Sequence, residues 1–318
     1  MIFGVLLMNN VNNAVLPDRK ALPFGGAHAI DNPVFQTKVK TYMELCALEN
    51  KTSDTNVQNQ FLELYKKWIL SSRLNSVIGL DLFDHACFSN GTTEAFDKFY
   101  LKHHNRKFRC FRGEYMYHQA AWRNYFPNWS YLDDEPLQSD DAVVISLPFS
   151  DTGNEHPKYF DLLEQCSEMN VPVLVDCAWF GLTSDVKYHF DYPAITDITW
   201  SLSKFFPVAN LRIGMRLTKV DDDDSLFVMN KTNYTNRLGA AVGMHIIQDY
   251  DSDYMSQTYK QQQLAMCKLL NVQPSKSVIF GIDNDNAYSS YNRGGPTNRL
   301  NLAKYLQFPE TLPHQSTT

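Results

Sequence analysis

Three absences set the first limits on this chain. Its 318 residues carry 29 basic and 35 acidic side chains, a net charge of −6, so the basic excess that holds nucleic acid or an anionic membrane is missing. The six cysteines, Cys46, Cys87, Cys110, Cys166, Cys177 and Cys267, have neither CxxC pairs nor dense spacing. That argues against a disulfide framework and reads as reduced, core-filling thiols of an intracellular protein. The apolar opening MIFGVLLM is too short to span a bilayer and lacks a basic flank and a cleavage pattern, so a soluble cytoplasmic protein is expected. Internal repeats and long low-complexity tracts are also missing. No histidine–cysteine cluster has metal-ligand spacing, and no GxxxxGK turn marks a nucleotide triphosphate site.

What is present is a chain 44% hydrophobic and 13% aromatic, enough for a packed core in one or two domains. Residues 1–35 are rich in Asn, Pro and Gly and read as an irregular arm that docks elsewhere. Phe61, Leu62, Tyr65, Trp68 and Ile69 have helical spacing, which predicts a helix within 55–75. HACFSNGTTEAFDKFYLKH, from His85, reads as strand, turn at Asn90-Gly91 and helix. AVVISLPF (142–149) and VPVLVD (171–176) read as buried strands. Tyr159, Phe160, Leu163 and Cys166 form a helical stripe between them, stopped at Asn170. Strand, helix, strand at this spacing predicts a parallel βαβ unit with a right-handed crossover.

ITDITWSLS and LRIGMRLT are further strands, and Asp221 to Asp224 reads as a solvated loop. Residues 237–270 read as one long helical stretch, and SVIFGI (277–282) with TNRLNLAKYL (297–306) as a small α/β unit. The expected division is an arm and part of a small domain in 1–50, a large domain in 51–250 and a small domain in 251–318. Ligands in such α/β folds bind beyond the carboxyl ends of the strands.

Those strand ends carry chemistry. Asp176 closes VPVLVD, either as a helix cap or as a buried carboxylate for a cationic ring nitrogen. Gly91, Thr92 and Thr93 start a helix, where open N–H groups and the helix dipole suit an anion; the plain alternative is a helix capped by Asn90 or Thr92. Lys204, in SLSKFFPVANLRIG, sits in apolar company that would lower its pKa and make it a nucleophile; otherwise it is a surface lysine with a buried stem. Arg212 suits a phosphate or an ordinary ion pair.

In this order the features resemble one family, the fold type I pyridoxal-phosphate (PLP) enzymes, closest to the class I/II aminotransferases. The likeness runs from about residue 85 to 215, with an echo near the C-terminus. Lys204 and Arg212 are eight positions apart as in that family, and Asp176-x-Ala178 followed by Trp179 matches its Asp-x-Ala-aromatic signature. The resemblance implies a three-layer α/β/α large domain with a mostly parallel sheet and a small, reduced C-terminal α/β domain. It implies PLP on Lys204 as an internal aldimine, with Asp176 on the pyridine nitrogen. The phosphate falls to Gly91, Thr92, Thr93, Ser201, Ser203 and Arg212.

Tyr115 would stack on the ring, with Tyr117 and His118 as rivals. Arg299, in TNRLNLA, would hold a substrate α-carboxylate, with Arg293 and Arg237 as rivals. Ser150 replaces the family's asparagine at the PLP phenolic oxygen, unless Asn154 serves, and Trp179 replaces its tyrosine. The implied activity is amino-group transfer between an amino acid and a 2-oxo acid. Decarboxylation, elimination, racemisation or a silent homologue on the same fold are the alternatives. A homodimer with shared sites is also implied, to which the arm and NYTNR (233–237) would contribute.

Overall fold

The computed structural model describes residues 23–125 and 128–306; residues 1–22 of the expected arm lie outside them. Helices α1 (Pro33–Leu48) and α2 (Val57–Leu70) precede strands β1 (Ser76–Ile78) and β2 (His85–Asn90) and helix α3 (Thr92–Lys102). Next come β3 (Lys107–Cys110), α4 (Met116–Tyr125), β4 (Trp129–Tyr131), β5 (Asp141–Ser146), α5 (Tyr159–Glu168) and β6 (Val173–Asp176). After β7 (Lys187–His189) follow β8 (Ile195–Ser201), β9 (Ile213–Thr218), α6 (Ser225–Lys231), α7 (Arg237–Asp249) and α8 (Tyr254–Leu270). Strands β10 (Gln273–Pro274), β11 (Phe280–Asp283) and β12 (Asn298–Asn301) complete the described chain.

Seven strands form one sheet in the order β2-β9-β8-β6-β5-β3-β4. The βαβ unit read from the sequence is at its centre, with β5 and β6 parallel and adjacent across α5. All neighbours are parallel except at β9, which runs against both β2 and β8. The short 202–212 connection from β8 to β9 leaves no room for the crossover a parallel pair needs.

Alternation along the strands divides the core between two faces. Val143, Ile145, Val173 and Val175 pack on one side with residues of α2, α5 and α7. Ala142, Val144, Leu174 and Phe108 pack on the other, with Phe96 and Phe99 of α3 and Trp122 of α4. The result is three layers, α/β/α. Burial on both faces is why these strands read as unbroken apolar runs.

Two expectations need correction. Residues 237–270 form two helices, because the chain turns at 250–253. Asp253 there accepts from Ser72 Oγ at 2.6 Å and from the N–H groups of Arg73 and Leu74, while Tyr250 O takes the Trp68 indole N–H at 2.7 Å. Those bonds to the end of α2 cannot be read from helical spacing. The acidic run is not merely solvated. Asp222 and Asp224 join Asp197 around the buried Arg216 guanidinium, and Asp224 also caps α6. In the small C-terminal unit, TNRLNLAKYL holds strand β12, paired with β11 in a three-stranded antiparallel sheet.

Candidate active site

A cavity of about 560 Å³ opens at the carboxyl ends of β5 and β6, beside the N-terminus of α3. It lies where an α/β sheet offers its ligand crevice. At one end is an anion cradle. Gly91 has φ 75° and ψ −175°, a backbone region open essentially to glycine, and no side chain caps α3. Neither Asn90 nor Thr92 acts as the cap the plain reading supposed; the amide of Asn90 instead donates to Glu94 Oε2 at 3.1 Å. Arg212 comes over this turn and donates to Asn90 O and Thr93 Oγ1, each at 3.0 Å. A Cβ on Gly91 would collide with the guanidinium, and one on Gly214 would meet Gly91 Cα at 2.8 Å. This is why the sequence reads Arg-x-Gly. Among the described residues Arg212 makes no ion pair within 4.0 Å, so its charge is directed at the cradle.

Asp176 ends β6 directly across from Ser146 on β5. It is 6% exposed, and among the described residues its hydrogen-bond donor is the Ala178 N–H at 3.0 Å. Burial, reinforced by nearby Glu114, pushes its carboxyl up to about 8, against the opposing pull of that N–H and of Lys204. Glu114 is itself buried. It accepts from Ser146 N and Ser146 Oγ, both at 2.6 Å, and burial raises its pKa as well. Asp176 thus lines the cavity with Glu114 buried behind it, an arrangement suited to a cationic group such as a protonated ring nitrogen.

Lys204 lines the cavity, and its Nζ donates to Ala27 O at 2.7 Å. Phe205 and Phe206 are not the apolar lining expected for it. Phe205 packs on Trp68, and Phe206 on Phe35 and Tyr250, so they anchor the turn that carries the lysine. Ser203 lines the cavity, whereas Ser201 stands behind it, its hydroxyl 2.7 Å from that of Ser203 and bonded to Ile213 O.

The rivals also separate. Tyr115 lines the cavity. Tyr117 instead turns to the carboxylate of Asp97, and His118 is buried against Tyr100, its pKa driven down to about 3 by burial. Ala178 and Trp179 lie on the wall. Arg299 lies 5.2 Å from the Trp179 ring and donates to Ser150 O and Gly26 O. Arg293 also lines the cavity. Arg237 does not; it bonds Thr52 O and Asn233 O on another face. Asn154 is tied to the backbone of Lys276 at 2.8 Å, so Ser150 alone of that pair reaches the cavity.

Sequence reasoning missed Glu114, Ser146 and Gly26 to His28. Ser146 could have been found, since it follows the apolar run of β5 and ends it with a polar residue. The segment at 26–28 carries only its paired glycines as a signal.

A cradle for a phosphate, a buried carboxyl for a basic ring nitrogen and a lysine beside them fit a cofactor with those groups. Comparison with known proteins agrees. The chain is similar to an aminotransferase from Staphylococcus aureus, at 13% identity over 92% of this chain and 93% of that one, with a TM-score of 0.63. It is similar in fold to L-threonine-O-3-phosphate decarboxylase from Porphyromonas gingivalis, at 12% identity over 90% and 94% of the two chains, with a TM-score of 0.61. The PLP-bound C-S lyase from Staphylococcus hominis gives 12% identity, 93% of each chain and 0.58. No curated protein sequence matches the chain. No helix among the described residues is long and apolar enough to cross a membrane. The aminotransferase class I and II family matches residues 77–309, and the chain therefore belongs to that family, whose cofactor is pyridoxal 5′-phosphate.

Proposed function

We propose that the protein is an aminotransferase that moves an amino group between an amino acid and a 2-oxo acid. The observation that carries this is the convergence of Lys204, Asp176, the Arg212 cradle and Arg299 on one cavity. When bound, PLP supplies an electron sink conjugated to the substrate Cα.

The chain's own residues do the rest. Lys204 would hold the cofactor covalently and, once displaced by substrate, move a proton at Cα with its free amine. Asp176 would keep the pyridine nitrogen protonated. Gly91, Thr92, Thr93, Ser203 and Arg212 would bind the phosphate, with Ser201 fixing Ser203 from behind. Tyr115 would cover one ring face, and Ala178 with Trp179 would border the site. Arg299 would take the α-carboxylate, where its planar fork matches two oxygens. Ser150 and Trp179 would face the phenolic oxygen with one hydroxyl and one indole N–H.

The reading includes the three-part division at residues 50 and 250; the seven-stranded sheet lies within 85–218 and the three-stranded sheet within 273–301. It also includes a cytoplasmic homodimer using the loop at 233–237, where Tyr234 is 75% exposed. Light scattering tests the dimer.

The test of the reaction is a half-turnover. Protein loaded with PLP and mixed with single amino acids, without acceptor, should release 2-oxo acid up to one equivalent and stop; an added 2-oxo acid should restart it. Release of carbon dioxide or ammonia instead would assign the decarboxylase or lyase alternative. No chemistry with any donor would assign a silent homologue.

A further inference from the structure

Glu114 is a buried acid that the proposed chemistry does not use. It is 1% exposed and stands outside the cavity wall, behind Asp176. The turn before α4 sets its place. Gly113 adopts φ 87°, and a Cβ there would sit 2.6 Å from Asp151 Cβ, so glycine lets the chain bury Glu114 while Tyr115 faces the cavity. Three donors hold the carboxylate: Ser146 N and Ser146 Oγ, each at 2.6 Å, and Tyr115 N at 3.0 Å. Ser146 is the register partner of Asp176 across β5 and β6, and it lines the cavity. Glu114 is therefore tied to the residue that flanks Asp176.

A buried acid is ordinarily answered by a cation. Among the described residues, no ion pair within 4.0 Å reaches either Glu114 or Asp176. The cations that face them have other partners, since Lys204 donates to Ala27 O and Arg293 lies 3.8 Å from Asp151. The remaining titratable neighbours carry no charge at neutral pH. Burial pushes Tyr100, Tyr115, Cys110 and Cys177 up and holds His118 neutral. The bonding of the two carboxyls is also uneven. Glu114 has three donors for its charge, whereas Asp176 has the Ala178 N–H. The charge therefore settles on Glu114 and the proton on Asp176. Removing that proton would leave two like charges in one buried site, and the same holds when a basic nitrogen shares it.

We propose that Glu114 is a positioning residue of the cofactor site, the second negative charge that holds a proton between Asp176 and the ring nitrogen. The inference rests on the reading of Asp176 as the partner of that nitrogen. Ser146 fixes Glu114 in this role with its N–H and its hydroxyl.

The experiment titrates PLP and its 1-deaza analogue, in which C–H replaces the ring nitrogen, calorimetrically into the cofactor-free protein at neutral pH. Wild type should prefer PLP by about 100-fold, the size of a close charge pair on the ring proton. Glu114→Gln keeps the shape and removes the charge, and the preference should fall by about tenfold, the equivalent of one pKa unit. Glu114→Asp keeps the charge and should hold the preference to within about threefold of wild type. The ratio is taken within each variant, so a loss of folded protein does not alter it. PLP labelled with nitrogen-15 in the ring gives a spectroscopic reading of the same proton. Its loss should come about one pH unit lower in Glu114→Gln than in wild type. Either an unchanged preference or an unchanged midpoint in Glu114→Gln would overturn the proposal. Equal losses in the Asp and Gln variants would do the same, because the role would then be one of shape.

Asp176→Asn separates this from failure of the underlying reading. It should abolish the preference for PLP. A wild type that binds both compounds equally, or an Asp176→Asn variant that keeps the preference, removes Asp176 from the ring nitrogen and the proposal with it. A preference lost in Asp176→Asn and kept in Glu114→Gln overturns the role of Glu114 alone.

Discussion

The amine of Lys204 and the carbonyl of Ala27 are hydrogen-bonded at 2.7 Å, joining residues 177 positions apart. Arg299 makes the same kind of contact to the neighbouring carbonyl of Gly26, at 3.0 Å. The segment 26–28 is therefore tied to the mouth of the cavity by the two side chains proposed to hold cofactor and substrate. Beyond it, Phe24 is seated among Tyr288, Tyr291 and Tyr305.

Lys204→Ala should give a protein that binds PLP reversibly and loses its visible absorbance on gel filtration. Borohydride reduction, which should fix the cofactor on the wild-type peptide containing Lys204, should leave this variant unlabelled. Turnover should fall by roughly 10²–10⁴ or more, the usual share of a positioned acid–base group. Retention of the label on another lysine would remove Lys204 from its role.

Asp176 gives a pH dependence with a definite sign. In the cofactor-free protein its pKa is about 8, well above that of a carboxyl in an unfolded chain. Between pH of about 4 and about 8 the folded protein holds a proton that the unfolded chain releases, so stability falls as pH rises through that window. The slope is at most about 1.4 kcal/mol per pH unit. Asp176→Asn should remove it, making the cofactor-free variant more stable than wild type at pH 8 and little different at pH 4, by urea titration. The same variant should lose activity, because an amide cannot hold the pyridine nitrogen protonated. A wild-type slope no steeper than the variant's would count against this assignment.

Gly91→Ala should damage the cradle in two ways. The backbone there has φ 75° and ψ −175°, which costs a residue with a Cβ about 1–3 kcal/mol. The new methyl would also displace Arg212 from its bonds to Asn90 O and Thr93 Oγ1. Weaker PLP binding, by about tenfold or more, should accompany the lower stability. Calorimetric titration of PLP into both proteins checks it.

Arg216→Met tests the acidic run far from the cavity. Asp197 is fully buried and would lose its cation, together with Asp222 and Asp224. Removing one partner of such a group destabilises by about 3–5 kcal/mol. Denaturant midpoints should fall accordingly, while PLP affinity of the folded fraction should hold.

The family was legible because its signals are local. Asp176 follows an apolar run, Gly91 precedes a helix, and Lys204 and Arg212 stand a fixed distance apart, each within a few residues of its own context. The same locality made β5, α5 and β6 readable, since strand and helix periods are written in consecutive side chains. Where the reading failed, the cause lay in partners distant in the chain. The helix break at 250–253 depends on bonds to the end of α2, and the pairing of Asp222 and Asp224 depends on Arg216 facing them from β9.

The sequence by itself thus determined the layered α/β fold and named the residues proposed for a phosphate, a ring nitrogen and a carbonyl. Only the tertiary structure decided which of them share a cavity. It selected Tyr115 over Tyr117 and His118, placed Glu114 behind Asp176, and brought Arg293 beside Arg299 around Ser150. Periodicity reports which face of an element is buried, whereas burial of charge depends on long-range packing, and in this cavity that packing sets the chemistry.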